Sequence, residues 1–149
     1  MMGDTNRRHA NIAAALEDEM EIAKPGIDLG VLVRDVDACV RFYTEDLGLP
    51  KVGEIPFPGN RTMHRIQIGD TVLKLMQYHD GPPPAGPRER EAQAGIRYFT
   101  ISVKNLPEVV KGLEAKGHSF TIPLREARPG VWIAMLQDPD GNTVELLGA

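Results

Sequence analysis

At 149 residues, with 42% hydrophobic and 26% charged side chains, the chain is sized for one globular domain, and its composition excludes a disordered, fibrous or membrane-spanning protein. A net charge of −4 without a basic run argues against nucleic acid as the main partner, and a single cysteine, Cys39, excludes both a disulfide framework and a thiolate zinc site. A domain of this length buries roughly 70% of its unfolded surface and needs no disulfide or structural metal. The expected partner is a small molecule, and the expected compartment is the reducing cytoplasm.

Near the start, Arg7 and Arg8 precede an apolar stretch, Ile12 to Leu16, that runs into Glu17-Asp18-Glu19, too short and too acidic for a signal peptide. No segment approaches the roughly 20 apolar residues of a membrane span, so no membrane contact is expected. Residues 6–23 predict an amphipathic helix with Asn6 as N-cap and Ile12, Leu16, Met20 and Ala23 in one stripe. Pro25-Gly26 ends it, which makes residues 1–26 an accessory element whose stripe docks on the domain or on a partner subunit.

From Ile27 the pattern changes to alternation. Ile27 to Val33 predicts a strand, and Asp35 caps a helix that runs through Leu47 and stops at Gly48. Three more strands are expected at Lys51 to Ile55, Thr62 to Ile68 and Thr71 to Tyr78, the last two joined by the tight turn Gly69-Asp70. Residues 80–95 carry Pro82-Pro83-Pro84, Pro87 and Arg88-Glu89-Arg90-Glu91, so they hold no strand and form an exposed linker.

The pattern then repeats. Ile96 to Val103 predicts a strand, Asn105 with Glu108 starts a helix in the manner of a capping box, and Gly117 ends it. Strands near Ser119 to Leu124, Val131 to Gln137 and Thr143 to Leu147 complete a second β-α-β-β-β unit. The fold expected is α+β, a single domain over 27–148 made of half-units 27–79 and 96–148, with mixed sheets curled round a cavity.

Two stretches make this specific. Val33-Arg34-Asp35-Val36-Asp37 with Arg41-Phe42-Tyr43-Thr44-Glu45-Asp46-Leu47-Gly48, and later Asp138-Pro139-Asp140-Gly141-Asn142-Thr143-Val144-Glu145-Leu146, resemble the marks of the vicinal oxygen chelate superfamily of glyoxalases, bleomycin-resistance proteins and extradiol dioxygenases. Both marks have structural duties. Phe42, Tyr43 and Leu47 are at helical spacing and belong in the core, and Asp-Pro-Asp-Gly is turn chemistry.

The resemblance also implies a site, because superfamily members hold a metal with residues from the first and last strands of each half. The first-strand positions fall at Asp28 and Tyr98, and the last-strand positions at Lys74 and Glu145. Of these, Glu145 matches the family pattern, Asp28 is able to coordinate, Tyr98 is a poor ligand and Lys74 is a cation with donors only. Two alternatives stand for Lys74: a buried salt bridge with Glu145 and Asp28, or, together with Tyr98, a donor to a ligand oxygen, with Glu145 or Asp28 as base.

Alternation places Asp28, Gly30 and Leu32 on one strand face, with Tyr98, Thr100 and Ser102 in the same relation to Phe99 and Ile101. His64 shares a face with Ile66 and Ile68, either as a core histidine or as a substitute ligand beside Glu145 and Asp28 in a displaced divalent-metal site. Trp132, Met135 and Met76 lie near the expected cavity, although parity puts Trp132 and Met135 on opposite faces. Arg125 and Arg128 stand at its mouth or in solvent.

The ligand-binding set expected is thus Asp28, His64, Lys74, Tyr98, Trp132 and Glu145, with Lys74, Tyr98 and Glu145 as catalytic candidates. The function expected is small-molecule binding without the usual metal. The alternative is a lyase, isomerase or dioxygenase, cofactor-free or with a displaced metal, and in either case the resemblance implies a homodimer.

Overall fold

The computed structural model describes residues 19–148. Two four-stranded mixed sheets form an α+β fold. The first contains β1 (Leu29–Val33), β2 (Lys51–Phe57), β3 (Arg61–Ile68) and β4 (Thr71–Tyr78) in the order β1-β4-β3-β2. The second contains β5 (Tyr98–Ser102), β6 (Phe120–Arg128), β7 (Val131–Gln137) and β8 (Thr143–Gly148) in the matching order β5-β8-β7-β6. In each, the first strand pairs parallel with the last and the remaining pairs are antiparallel. Parallel pairing requires a crossover, and each half-unit's helix lies between its first and second strands.

Helix α1 (Val36–Arg41) begins at Asp35, whose carboxylate accepts the Ala38 N–H at 3.1 Å. It departs from the expected continuous α-helix by passing into a π-helical turn, Phe42–Asp46. The wider turn accommodates two adjacent aromatic side chains in the core: Phe42 and Tyr43 are both buried and meet edge to face at 5.0 Å. Helix α2 (Leu106–Ala115) starts at Asn105, but no side-chain cap forms there, and Pro107 in the first turn presets the helical φ instead. Gly48 and Gly117, which follow the two helices, adopt φ of +72° and +89°, the left-handed conformation that glycine accepts without strain.

One core serves both halves. Val33, Tyr43, Ile66, Leu73 and Leu75 from the first pack in the same cluster as Leu106, Val110, Leu136, Val144 and Leu146 from the second. Helices therefore cover one face of each sheet and leave an open face opposite.

Several boundaries differ from expectation. β1 and β5 each begin two residues later than the alternation suggests, whereas β6 runs on to Arg128. Residues 19–26 form bends and coil, not the end of the predicted N-terminal helix, and the rest of that helix lies outside the described residues. No described helix is long and apolar enough to cross a membrane.

Candidate functional site

The two marks of the sequence meet each other. Tyr43 Oη donates to Asp138 Oδ2 at 2.7 Å in the core. Asp138 also accepts from Asp140 N at 3.0 Å and Asn142 N at 2.9 Å, which closes the Asp-Pro-Asp-Gly turn. The carboxylate of Asp140 then accepts the backbone N–H groups of Arg34 at 2.5 Å and Asp35 at 3.1 Å. The turn of the second half thus binds the chain leading into α1 of the first. Burial pushes the Asp138 carboxyl above its usual range, opposed by hydrogen bonds from Asn142 and Tyr43, and burial beside Asp138 pushes the Tyr43 phenol up strongly. This is structural chemistry, as the sequence predicts.

On the open face of the first sheet, parallel register places Lys74 beside Gly30, one strand in from Asp28. Asp28 Oδ1 accepts from Lys24 Nζ at 2.5 Å and from Val72 N at 2.7 Å, while Lys74 Nζ lies 3.9 Å from Oδ2. The Lys24 ammonium, aided by the Val72 N–H and by Lys74, holds Asp28 below the usual carboxylate range. Antiparallel pairing sets Arg65 directly across from Lys74, and Arg61 caps the rings of Phe57 and Tyr78 at 5.9 and 6.0 Å.

The second sheet has the repeat-related arrangement with different chemistry. Glu145 lies across from Thr100, whose hydroxyl donates to Glu145 Oε1 at 2.8 Å. Tyr98, 49% exposed, precedes Thr100 on the same face. Ile133 and Met135 share that face, as do Arg125 and Arg128 through their pairing with Ile133 and Val131. The open faces are therefore rich in arginine and lysine although the whole chain is acidic.

The edges of β1 and β5 flank an open cleft of about 580 Å³ lined by Ile27, Leu29, Ile68, Ile96 and Tyr98. Asp28 and Tyr98 line a neighbouring cleft of about 460 Å³. Both are open to solvent.

Two expectations about site residues, those for Lys74 and Trp132, need correction, and of the two alternatives for His64 the structure takes the core histidine. Lys74 forms no ion pair with Glu145: its carboxylate neighbour is Asp28, and Glu145 is held by Thr100, because the two positions sit on different sheets. His64 lies on the helix-facing side with Leu75, away from Lys74, since register pairs those two residues. Its Nε2 bonds Gln77 Oε1 at 2.8 Å, and Nδ1 stands 3.5 Å from Glu54 Oε1 without a hydrogen bond. It does not join Asp28 and Glu145 in a displaced metal site. Trp132 shares the helix-facing side with Ala134 and Leu136, so the open face receives Met135 in its place.

Nor do the four family positions offer a divalent cation a suitable donor set. One is an ammonium, one is a phenol, and Asp28 already serves Lys24 and a backbone N–H. Among the described residues no cluster of three or more His, Cys, Asp or Glu side chains is placed to hold a metal.

Residues 27–146 match the model of the Glyoxalase/Bleomycin resistance protein/Dioxygenase superfamily. The chain belongs to that superfamily. Its members commonly bind a divalent metal. A lactoylglutathione lyase of Arabidopsis thaliana is 27% identical over 124 residues, covering 77% of this chain and 41% of that protein. The chain thus spans less than half the length of this curated relative. Among solved structures, a glyoxylase/bleomycin resistance protein/dioxygenase domain from Frankia superposes with a TM-score of 0.69 at 21% identity, covering 87% of this chain and 93% of that one. An antibiotic binding protein from Streptomyces does so with a TM-score of 0.64 at 21% identity, covering 86% and 98%. These two likenesses concern the fold.

Sequence reasoning missed Arg65, Arg61 and the position of residues 87–91. The two-residue turn Gly69-Asp70 was enough to place Arg65 opposite Lys74, whereas nothing local places the linker.

Proposed function

We propose that this superfamily member binds a small organic molecule on the open faces of its sheets and does so without the usual metal. The observation that carries this reading is Lys74. Placed where the superfamily pattern has an acidic ligand, its ammonium lies 3.9 Å from Asp28 and faces Arg65, so the face suits an anionic or carbonyl oxygen better than a cation. The likeness to an antibiotic binding protein lends support at the level of fold. We also place the protein in the cytoplasm, in keeping with its single cysteine, and as a homodimer, for which the exposed Leu32, Ile55 and Tyr98 on the open faces speak.

Elemental analysis of untagged protein, purified without chelators and then incubated with nickel, zinc, iron, manganese or cobalt, tests the reading. The expected result is occupancy far below one ion per chain. Near-unit occupancy by any of them overturns it and favours metal-assisted chemistry.

A second reading is favoured by Tyr98, Thr100 and Glu145 on one face and by the lactoylglutathione lyase relative: a lyase, isomerase or dioxygenase. In a cofactor-free version, Lys74 and Tyr98 donate to a substrate carbonyl oxygen and Glu145 takes a proton. Turnover of a hemithioacetal by the purified chain, abolished by Glu145→Gln, would establish it. Protein that binds ligands but never turns one over leaves the binding reading standing.

A further inference from the structure

The linker is exposed and strand-free, as expected, yet it is also tied down across the open face of the second sheet. Arg97, one residue before β5, donates to three of its carbonyls: Nε to Arg90 O at 3.1 Å, and Nη2 to Pro87 O at 2.9 Å and Glu89 O at 3.0 Å. Gln137 Nε2 donates to Arg88 O at 2.6 Å, and Arg88 Nη2 donates to Pro139 O at 3.1 Å. From the first half, Arg34 Nη1 donates to Pro83 O at 2.8 Å. Residues 83–90 are thus held by side chains from both half-units, an investment of guanidinium and amide donors that a passive tether does not require.

The bound strap presents Arg90. Its side chain, 30% exposed, reaches Met135, the residue paired across from Glu145 on the open face, and Nη1 stands 2.9 Å from the thioether sulfur. Sulfur of this kind is a weak acceptor, and a guanidinium carries five N–H donors. The other contact among the described residues is Nη2 to Glu91 Oε1 at 3.4 Å, a long approach to a carboxylate whose side chain is 88% exposed. Arg90 therefore keeps a partly buried fork of donors aimed over an apolar surface, and among the described residues its one carboxylate partner is the exposed Glu91 at 3.4 Å. It lines one cleft of about 640 Å³ with Tyr98 and Met135, and another of about 500 Å³ with Thr121, Gln137 and Thr143.

We propose that Arg90 is a specificity-determining residue that takes the oxyanion, carboxylate or sulfonate, of an amphipathic organic ligand, whose apolar body lies against Met135 and Tyr98. Arg97 is then a positioning residue that holds the strap so that the guanidinium meets the ligand preorganised. The proposal deepens the binding function and rests on it. The planar fork matters as well as the charge, since bidentate pairing with an oxyanion is available to arginine and not to lysine.

Fluorescence titration of the full chain with 8-anilinonaphthalene-1-sulfonate, an anionic aromatic probe, and with the neutral probe Nile red tests this. Arg90→Met is expected to weaken sulfonate-probe binding roughly tenfold while Nile red binding moves less than about twofold, because a charge-assisted pair is lost and the apolar surface is kept. Arg90→Lys is expected to recover only part of the loss. Arg97→Met should weaken the anionic probe and also speed cleavage of the strap by a glutamate-specific protease at Glu89 and Glu91, which Arg90→Met should leave at the wild-type rate. If the wild type binds both probes and Arg90→Met changes neither, or both equally, the proposal fails and the binding reading survives. If the wild type binds neither probe, both fall together.

Discussion

The two half-units share topology, strand order and helix punctuation, yet their central positions carry opposite charge. Lys74 on β4 and Glu145 on β8 are repeat-related, each across from the first strand of its sheet. The first has Asp28 at 3.9 Å and Arg65 paired across from it on an uncovered face; the second rests on a threonine hydroxyl under a strap that carries Arg90. Side chains facing the helices are constrained in both halves by one shared core, whereas those on the open faces answer to what they meet there. Duplication of a fold therefore does not imply duplication of a site.

The link between the halves is the place where this comparison breaks most easily. Asp138→Ala removes the acceptor of Tyr43 and of the turn's own N–H groups, and it should lower unfolding free energy by about 3 kcal/mol in urea titrations, because several buried donors lose their partner at once. Tyr43→Phe should cost less, about 1–2 kcal/mol near neutral pH, through one lost bond in the same network.

That second loss should depend on pH. Burial raises the Asp138 pKa in the folded protein, so its contribution to stability is present below the unfolded carboxylate value and is lost as pH rises through the folded one. The Tyr43 bond opposes that rise, so Tyr43→Phe lifts the folded pKa further, and its penalty should shrink on acidification. A penalty that stays flat from pH 7 to pH 4 would mean that Asp138 does not titrate there.

The smallest effect is expected on the open face of the first half. Lys74→Met should leave the urea midpoint unchanged within error, since Lys74 is one-third exposed and Asp28 keeps Lys24 and the Val72 N–H. A clear drop in stability would make Lys74 a structural residue and remove it from the binding surface.

Much of the fold was legible because the relevant forces act over a few residues. Proline and glycine punctuation, the Asp35 cap and alternating strands identify both half-units, and parity correctly separates Tyr98 and Thr100 from Phe99 and Ile101. Parity also shows that Trp132 and Met135 cannot share a face, but not which of them turns to the helices. The π-helical turn was not legible, since α and π turns use the same residues and only packing of Phe42 and Tyr43 distinguishes them.

The amino-acid order alone determined the repeat and the turn positions, because these depend on local backbone preference, and its resemblance to the superfamily pointed to the family and to the four positions where a metal would be expected. The tertiary structure decided that Lys74 leans on Asp28 and not on Glu145, that His64 turns from the open face, and that the linker crosses the second sheet. Each of these joins residues far apart in the chain, Asp28 with Lys74, Arg88 with Pro139 and Arg90 with Met135, and such contacts form only when strand register and loop closure bring their partners within bonding distance.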